Sequence, residues 1–145
     1  MARHFVDTSA LVKLYRNEPL TSAVQACIAA TDTLVISGIA FLEFQSAFFG
    51  LVRQNLIGQS QALQRIALLR LDLPNFALIP LIQTLVASAE VLVDRFGVGE
   101  VLRPADALQL ACALDANARS PLDSVLTTDV ILSRCAQACG LVVKP

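Results

Sequence analysis

Apolar and polar positions along this chain follow two rhythms. Short runs rich in β-branched residues, at Arg3–Val6, Leu34–Ser37, Phe76–Ile79, Ser124–Thr127 and Leu141–Val143, read as strands. Longer stretches between them carry apolar residues at helical spacing. Ser9–Arg16 reads as a helix stopped near Pro19, and Leu20–Ala30 as a second. Ile39–Gln54 is the strongest, with Ile39, Phe41, Leu42, Phe44, Phe48, Leu51 and Val52 as its apolar face. Gln59–Leu71 follows Gly58, and Leu81–Phe96 stops at Gly97. Pro104 opens a helix to Ala118, since proline suits a first helical turn. Val130–Ala138 closes at Gly140. Strands separated by helices require crossovers. The pattern therefore predicts a mainly parallel sheet covered on both faces, a three-layer α/β/α sandwich. No repeat, linker or low-complexity segment interrupts it, so residues 1–145 read as one domain.

Four acids break this pattern: Asp7, Glu43, Asp106 and Asp129. They sit in HFVDTSALVKLY, ISGIAFLEFQSAFF, VLRPADALQLACAL and SVLTTDVILSRCA. A carboxylate near a core is costly unless something offsets its charge. Asp7 and Asp129 each directly follow a strand, so both emerge at the carboxyl edge of a parallel sheet, where such sheets place their sites. Glu43 lies one turn into the helix after LVIS. Asp106 opens the helix begun by Pro104, and the preceding stretch GVGEVLRP is able to turn the chain toward the same edge. Each acid also has a plain structural role open to it. Asp7 and Asp129 are suited to helix caps, and Asp106 to a helix dipole. Glu43 is suited to a solvent stripe shared with Ala47 and Gly50. Together they predict one acidic pocket able to hold a hard divalent cation, whose chemistry is phosphoryl transfer.

Composition narrows the setting. The chain is 55% hydrophobic and only 16% charged, with a mean hydropathy of +0.63. No uncharged run is apolar enough for a bilayer: Asp72 to Glu90 is broken by Pro74, Asn75, Pro80, Gln83, Thr84 and Ser88. The start, MARHFVD, is too short before its first acid to be a signal peptide. A cytoplasmic, oligomeric protein with covered surface is expected. A net charge of −1 argues against nucleic-acid binding through bulk charge. Cys27, Cys112, Cys135 and Cys139 lack zinc-site spacing and read as free thiols, and the lone His4 reads as packed in its strand or turned to solvent.

DTSALVKLY, the helical glutamate in FLEFQSAF, PADALQLACAL, and LTTD before a helix together resemble the PIN domain. They are most similar to its VapC-type toxins, the ribonuclease half of type II toxin–antitoxin pairs. The resemblance covers nearly the whole chain. It implies a metal-dependent ribonuclease in which Asp7 and Asp106 ligate the main Mg²⁺ or Mn²⁺. It implies that Glu43 and Asp129 complete the site, directly or through water. Thr8 or Ser9, and Thr127, match hydroxyl positions that orient the carboxylates. It also implies a single-stranded or looped RNA substrate, a cognate antitoxin and a homodimer. Residues around Leu11–Ile28 and Leu42–Leu56 are candidate walls of an antitoxin groove. Lys13, Arg16, Arg53 and Arg103 are candidate phosphate contacts, although each reads more readily as plain surface charge.

Three other readings compete. A phosphorelay receiver needs an acceptor aspartate at the end of its middle strand, and neither LVIS nor FALI supplies one. A haloacid-dehalogenase phosphatase needs a second aspartate two residues after the first, where this chain has Ser9. The complete acid set disfavours a catalytically idle PIN module acting as a binding scaffold, which a nuclease assay separates from an enzyme.

Overall fold

The computed structural model describes residues 1–145. Five strands, β1 (Arg3–Val6), β2 (Thr33–Ser37), β3 (Ala77–Ile79), β4 (Ser124–Leu126) and β5 (Val143–Lys144), form one sheet in the order β3-β2-β1-β4-β5. Every neighbouring pair is parallel, with Phe5 opposite Val35 on one side and Val125 on the other. Seven helices connect them: α1 (Thr8–Tyr15), α2 (Thr21–Ala26), α3 (Ala40–Arg53), α4 (Gln59–Asp72), α5 (Gln83–Phe96), α6 (Pro104–Arg119) and α7 (Val130–Ala138).

Side-chain alternation along the strands divides the core in two. Phe5, Val35 and Val125 point to one face, where they pack with Leu85, Leu92, Phe96, Leu110 and Leu132 of α5, α6 and α7. Val6, Ile36 and Leu126 point to the other, against Leu11, Val24, Phe44, Phe48, Ile66 and Leu69 of α1 to α4. The strands are apolar on both faces because both are covered, which is the three-layer arrangement the pattern predicts.

Several ends differ from the sequence expectation. The second helix stops at Ala26 rather than Ala30. Asp32 is the physical reason: its carboxylate takes the backbone N–H groups of Ala29 and Ala2, folding residues 27–32 into a turn. Strand β5 starts two residues late. Gly140 (φ +86°) bonds back to Gln137 and Leu141 to Ala136, so the helix end holds Leu141 out of the sheet. Cys112 and Cys135 are buried free thiols, while Cys27 and Cys139 are half-buried.

His4 is packed, and it holds the end of the strands opposite the acids. Its Nδ1 lies 2.8 Å from Ser124 Oγ and its Nε2 3.3 Å from Asp32 Oδ2, joining β1 to β4 and to the turn before β2. This row of Ser, His and Asp is structural, since Ser124 is only 1% exposed and admits no substrate.

Candidate active site

Strand β1 ends at Val6, and the next residue, Asp7, is the N-cap of α1. Strand β4 ends at Leu126, and Asp129 is the N-cap of α7. Because β1 and β4 are parallel neighbours, both carboxylates leave the sheet at the same edge. The link Gly97–Arg103 then turns the chain so that α6 lies antiparallel to α5. Val93 and Asp94 flank Pro104 and Ala107, while Thr84 and Leu85 flank Leu114 and Ala118. That turn brings Asp106, in the first turn of α6, to the same edge. Glu43 arrives from the first turn of α3.

The result is an open pocket of about 330 Å³ lined by Asp7, Thr8, Ser9, Glu43, Ser46, Ala47, Arg103, Asp106 and Asp129. Thr127 stands behind it, buried, with its hydroxyl on Asp7.

The two roles weighed for these acids are not exclusive, because a carboxylate has two oxygens. Asp7 Oδ2 takes the N–H and hydroxyl of Ser9 (3.2 and 2.6 Å) and the hydroxyl of Thr127 (3.0 Å). Asp129 Oδ1 takes the N–H of Leu132 at 2.9 Å. Glu43 Oε1 takes the hydroxyl of Thr8 (3.1 Å) and the amide of Gln109 (2.6 Å). Asp106 Oδ2 takes Nε of Arg103 at 3.2 Å. Capping and support consume one oxygen of each acid. Asp7 Oδ1, Glu43 Oε2 and Asp106 Oδ1 are left without a protein hydrogen-bond partner.

Burial pushes Asp7 from 3.8 up to about 6, against the lowering effect of the Ser9 and Thr127 hydrogen bonds, and the nearby Glu43 charge adds to the rise. Arg103 is the one cation at the pocket. Its Nη2 lies 3.7 Å from Asp129 Oδ2, and the hydrogen bond and charge of Asp106 hold its proton more firmly than usual. The other candidate phosphate contacts sit elsewhere. Lys13 and Arg16 both pair with Glu18. Burial alone would raise Glu18, but these two cations hold it below the ordinary carboxylate value. Arg53 lies at the far end of α3.

In donor chemistry the pocket fits a hard divalent cation: it offers carboxylate oxygens and hydroxyls, with no thiol or imidazole among its lining residues. No three acidic, His or Cys side chains yet stand close enough to enclose an ion. Gln109 was not among the residues singled out from sequence. The available signal was the one that exposed Glu43, a polar side chain inside a dense apolar run, here ALQLACAL.

Comparison with known proteins agrees with this geometry. The chain superposes on VapC20 of Mycobacterium tuberculosis, a sarcin–ricin loop cleaving toxin, with a TM-score of 0.69 and 21% identity over 98% of this chain and 99% of that one. VapBC-1 of nontypeable Haemophilus influenzae gives 0.63 at 18% identity, covering 97% and 96%. A toxin–antitoxin complex from Klebsiella pneumoniae gives 0.56 at 17%, covering 87% and 86%. At these identities the likeness is one of fold. No curated protein sequence matches the chain. The PIN domain family model matches residues 4–137, nearly the whole length, and the chain belongs to the PIN domain family.

Proposed function

We propose that this protein is a metal-dependent endoribonuclease, the toxin of a type II toxin–antitoxin pair, with residues 1–145 acting as one cytoplasmic PIN-like domain. One observation carries the reading: Asp7, Glu43, Asp106 and Asp129, from four separate elements, line one pocket at the carboxyl edge of the sheet. Asp7, Glu43, Asp106 and Asp129 would hold Mg²⁺ or Mn²⁺. The chemistry supplied by such a cation is water activation near neutral pH and relief of charge on phosphoryl oxygens. Ser9 and Thr127 hold Asp7 by one oxygen and leave the other without a protein partner, at a residue that lines the pocket. Thr8 does the same for Glu43. Arg103, two-thirds exposed at the rim, is free to exchange its carboxylate partners for an RNA phosphate. The chain has no imidazole at the pocket to act as general base, and the proposed route needs none.

The fold likeness to toxin and toxin–antitoxin structures supports a protein partner, and the surface agrees. Leu42, Leu56, Leu71, Val91 and Val98 are exposed, although Leu11 and Val24, from the other proposed groove wall, belong to the core. We assign the exposed leucines of α3 and the turn after it to antitoxin docking or to a homodimer contact. No helix is long and apolar enough to cross a membrane.

The test is cleavage of single-stranded RNA with Mg²⁺ or Mn²⁺, followed by analysis of the product ends. Products with 5′-phosphate and 3′-hydroxyl ends, lost with EDTA and restored by metal, are expected. Activity that survives EDTA overturns the metal route. A metal-binding protein that cuts no RNA favours the idle scaffold instead.

Asp7 also sets a pH dependence. Its proton must leave before a cation binds, so affinity for Mn²⁺ should fall by up to about tenfold for each pH unit below about 6. Titrations at pH 5 and pH 7.5 measure this. Equal affinities at the two pH values would mean that Asp7 is not a ligand.

A further inference from the structure

Gln109 has no part in the acid pattern, yet it is among the most buried polar side chains of the protein, at 1% exposure. It lies one helical turn after Asp106, on the same side of α6. Its amide reaches across to two other elements: Nε2 lies 2.8 Å from Thr8 Oγ1 at the start of α1 and 2.6 Å from Glu43 Oε1 on α3. Thr8 Oγ1 in turn donates to the same Glu43 oxygen at 3.1 Å. The donor and acceptor roles close consistently. One N–H of Gln109 meets the hydroxyl oxygen, the other meets the carboxylate, and the hydroxyl proton meets the carboxylate as well. Turning the amide over would set its carbonyl 2.6 Å from the Glu43 carboxylate and draw the Thr8 proton away from that oxygen, so the network fixes its orientation.

That orientation has a cost. Gln109 Oε1 is buried with no hydrogen-bond partner. A buried amide left half satisfied opposes folding, a cost set against the two bonds that its Nε2 makes to Thr8 and Glu43. What the arrangement yields is control of one carboxylate. Glu43 Oε1 is held by two donors, one of them a short charge-assisted bond, and Oε2, on a residue that lines the pocket, alone remains without a protein partner.

We infer that Gln109 is a positioning residue for metal binding, fixing Glu43 so that its Oε2 is presented to the cation; this rests on the metal-dependent reading above. Gln109 touches neither the cation nor the RNA. It acts through Glu43, with Thr8 as the second donor.

The experiment is a double-mutant cycle on Mn²⁺ affinity, read by the loss of the free Mn²⁺ paramagnetic resonance signal, with thermal melting of each metal-free variant alongside. Gln109→Met keeps volume and removes the amide. It is expected to weaken Mn²⁺ binding by about 10- to 100-fold, the range for the loss of an outer partner of a metal ligand. Melting of the metal-free Gln109→Met protein measures the stability lost with the bonds to Thr8 and Glu43, and a purely structural glutamine would lower it without any change in Mn²⁺ affinity that depends on Glu43. In a Glu43→Gln background the same change should alter Mn²⁺ affinity by less than about twofold, because the group it positions is already disabled. Unchanged affinity in Gln109→Met, or an equal loss in both backgrounds, overturns the inference while leaving the metal reading intact. Absence of Mn²⁺ binding in the unaltered protein overturns both.

Discussion

Asp7→Asn is expected to cleave RNA at least ~10³-fold more slowly than the unaltered chain and, without metal, to be the more stable protein at pH 7.5. The two effects have one origin. Asp7 is 5% exposed, and burial raises it from 3.8 to about 6. A carboxyl group with a raised folded-state value favours the fold while it is protonated. Its contribution is complete below about 4 and is lost as pH rises through about 6. At pH 7.5 the metal-free protein therefore carries an ionised, desolvated carboxylate, at a cost of roughly 2–3 kcal/mol from a shift of about two units. Asparagine removes the charge but keeps an oxygen to accept from Ser9 and Thr127, so the cap of α1 survives. Activity is lost because the amide cannot supply the negative charge that a cation needs. Melting at pH 7.5 and pH 4.5, with and without Mn²⁺, gives a clear readout. The variant should gain stability only at the higher pH, and Mn²⁺ should stabilise the unaltered protein but not the variant. A variant that cuts RNA within tenfold of the normal rate would remove Asp7 from the centre of the mechanism.

Much of this site was readable in the chain because β-structure and chemistry meet at strand ends. HFV and SVLTT announce strands, and an aspartate directly after each can only leave at the carboxyl edge if the strands are parallel. Glu43 stood out by interrupting an apolar helix face. The order of the strands was not readable, since it depends on which helices cover which face rather than on any local signal. The early end of α2 was hidden for a similar reason. It depends on Asp32 reaching the N–H of Ala2, thirty residues away. Gln109 and Arg103 show the limit most clearly. Their roles lie in contacts to Thr8, Glu43 and Asp129 that cross between elements distant in sequence. The glutamine in ALQLACAL interrupts an apolar run, but the carboxylate it serves becomes visible only when the fold places Glu43 against it.

The same helix that delivers Glu43 to the pocket anchors itself one residue later, and this sets the second large effect. Phe44 is fully buried between Tyr15 and Phe48, with ring centroids 5.3 Å away edge-on and 4.6 Å away tilted. Tyr15 is itself tied by its hydroxyl to Asp72 at 2.6 Å, so the cluster joins α1, α3 and the end of α4. Phe44→Ala removes the central ring and leaves a cavity that these tethered neighbours cannot easily fill. A loss of about 3–5 kcal/mol is expected. That is a large share of the 5–15 kcal/mol typical of a domain, so unfolding in urea should shift to a much lower midpoint with little change in slope. Phe44→Leu, which keeps most of the volume, should cost much less. At low temperature, where the alanine variant is still folded, its Mn²⁺ affinity should fall far less than that of Asp7→Asn. Phe44 supports the helix, whereas the carboxylate holds the ion. A stability loss below about 1 kcal/mol would mean that the aromatic cluster does not anchor α3, and the path from packing to the placement of Glu43 would have to run through Gln109 and Thr8 alone.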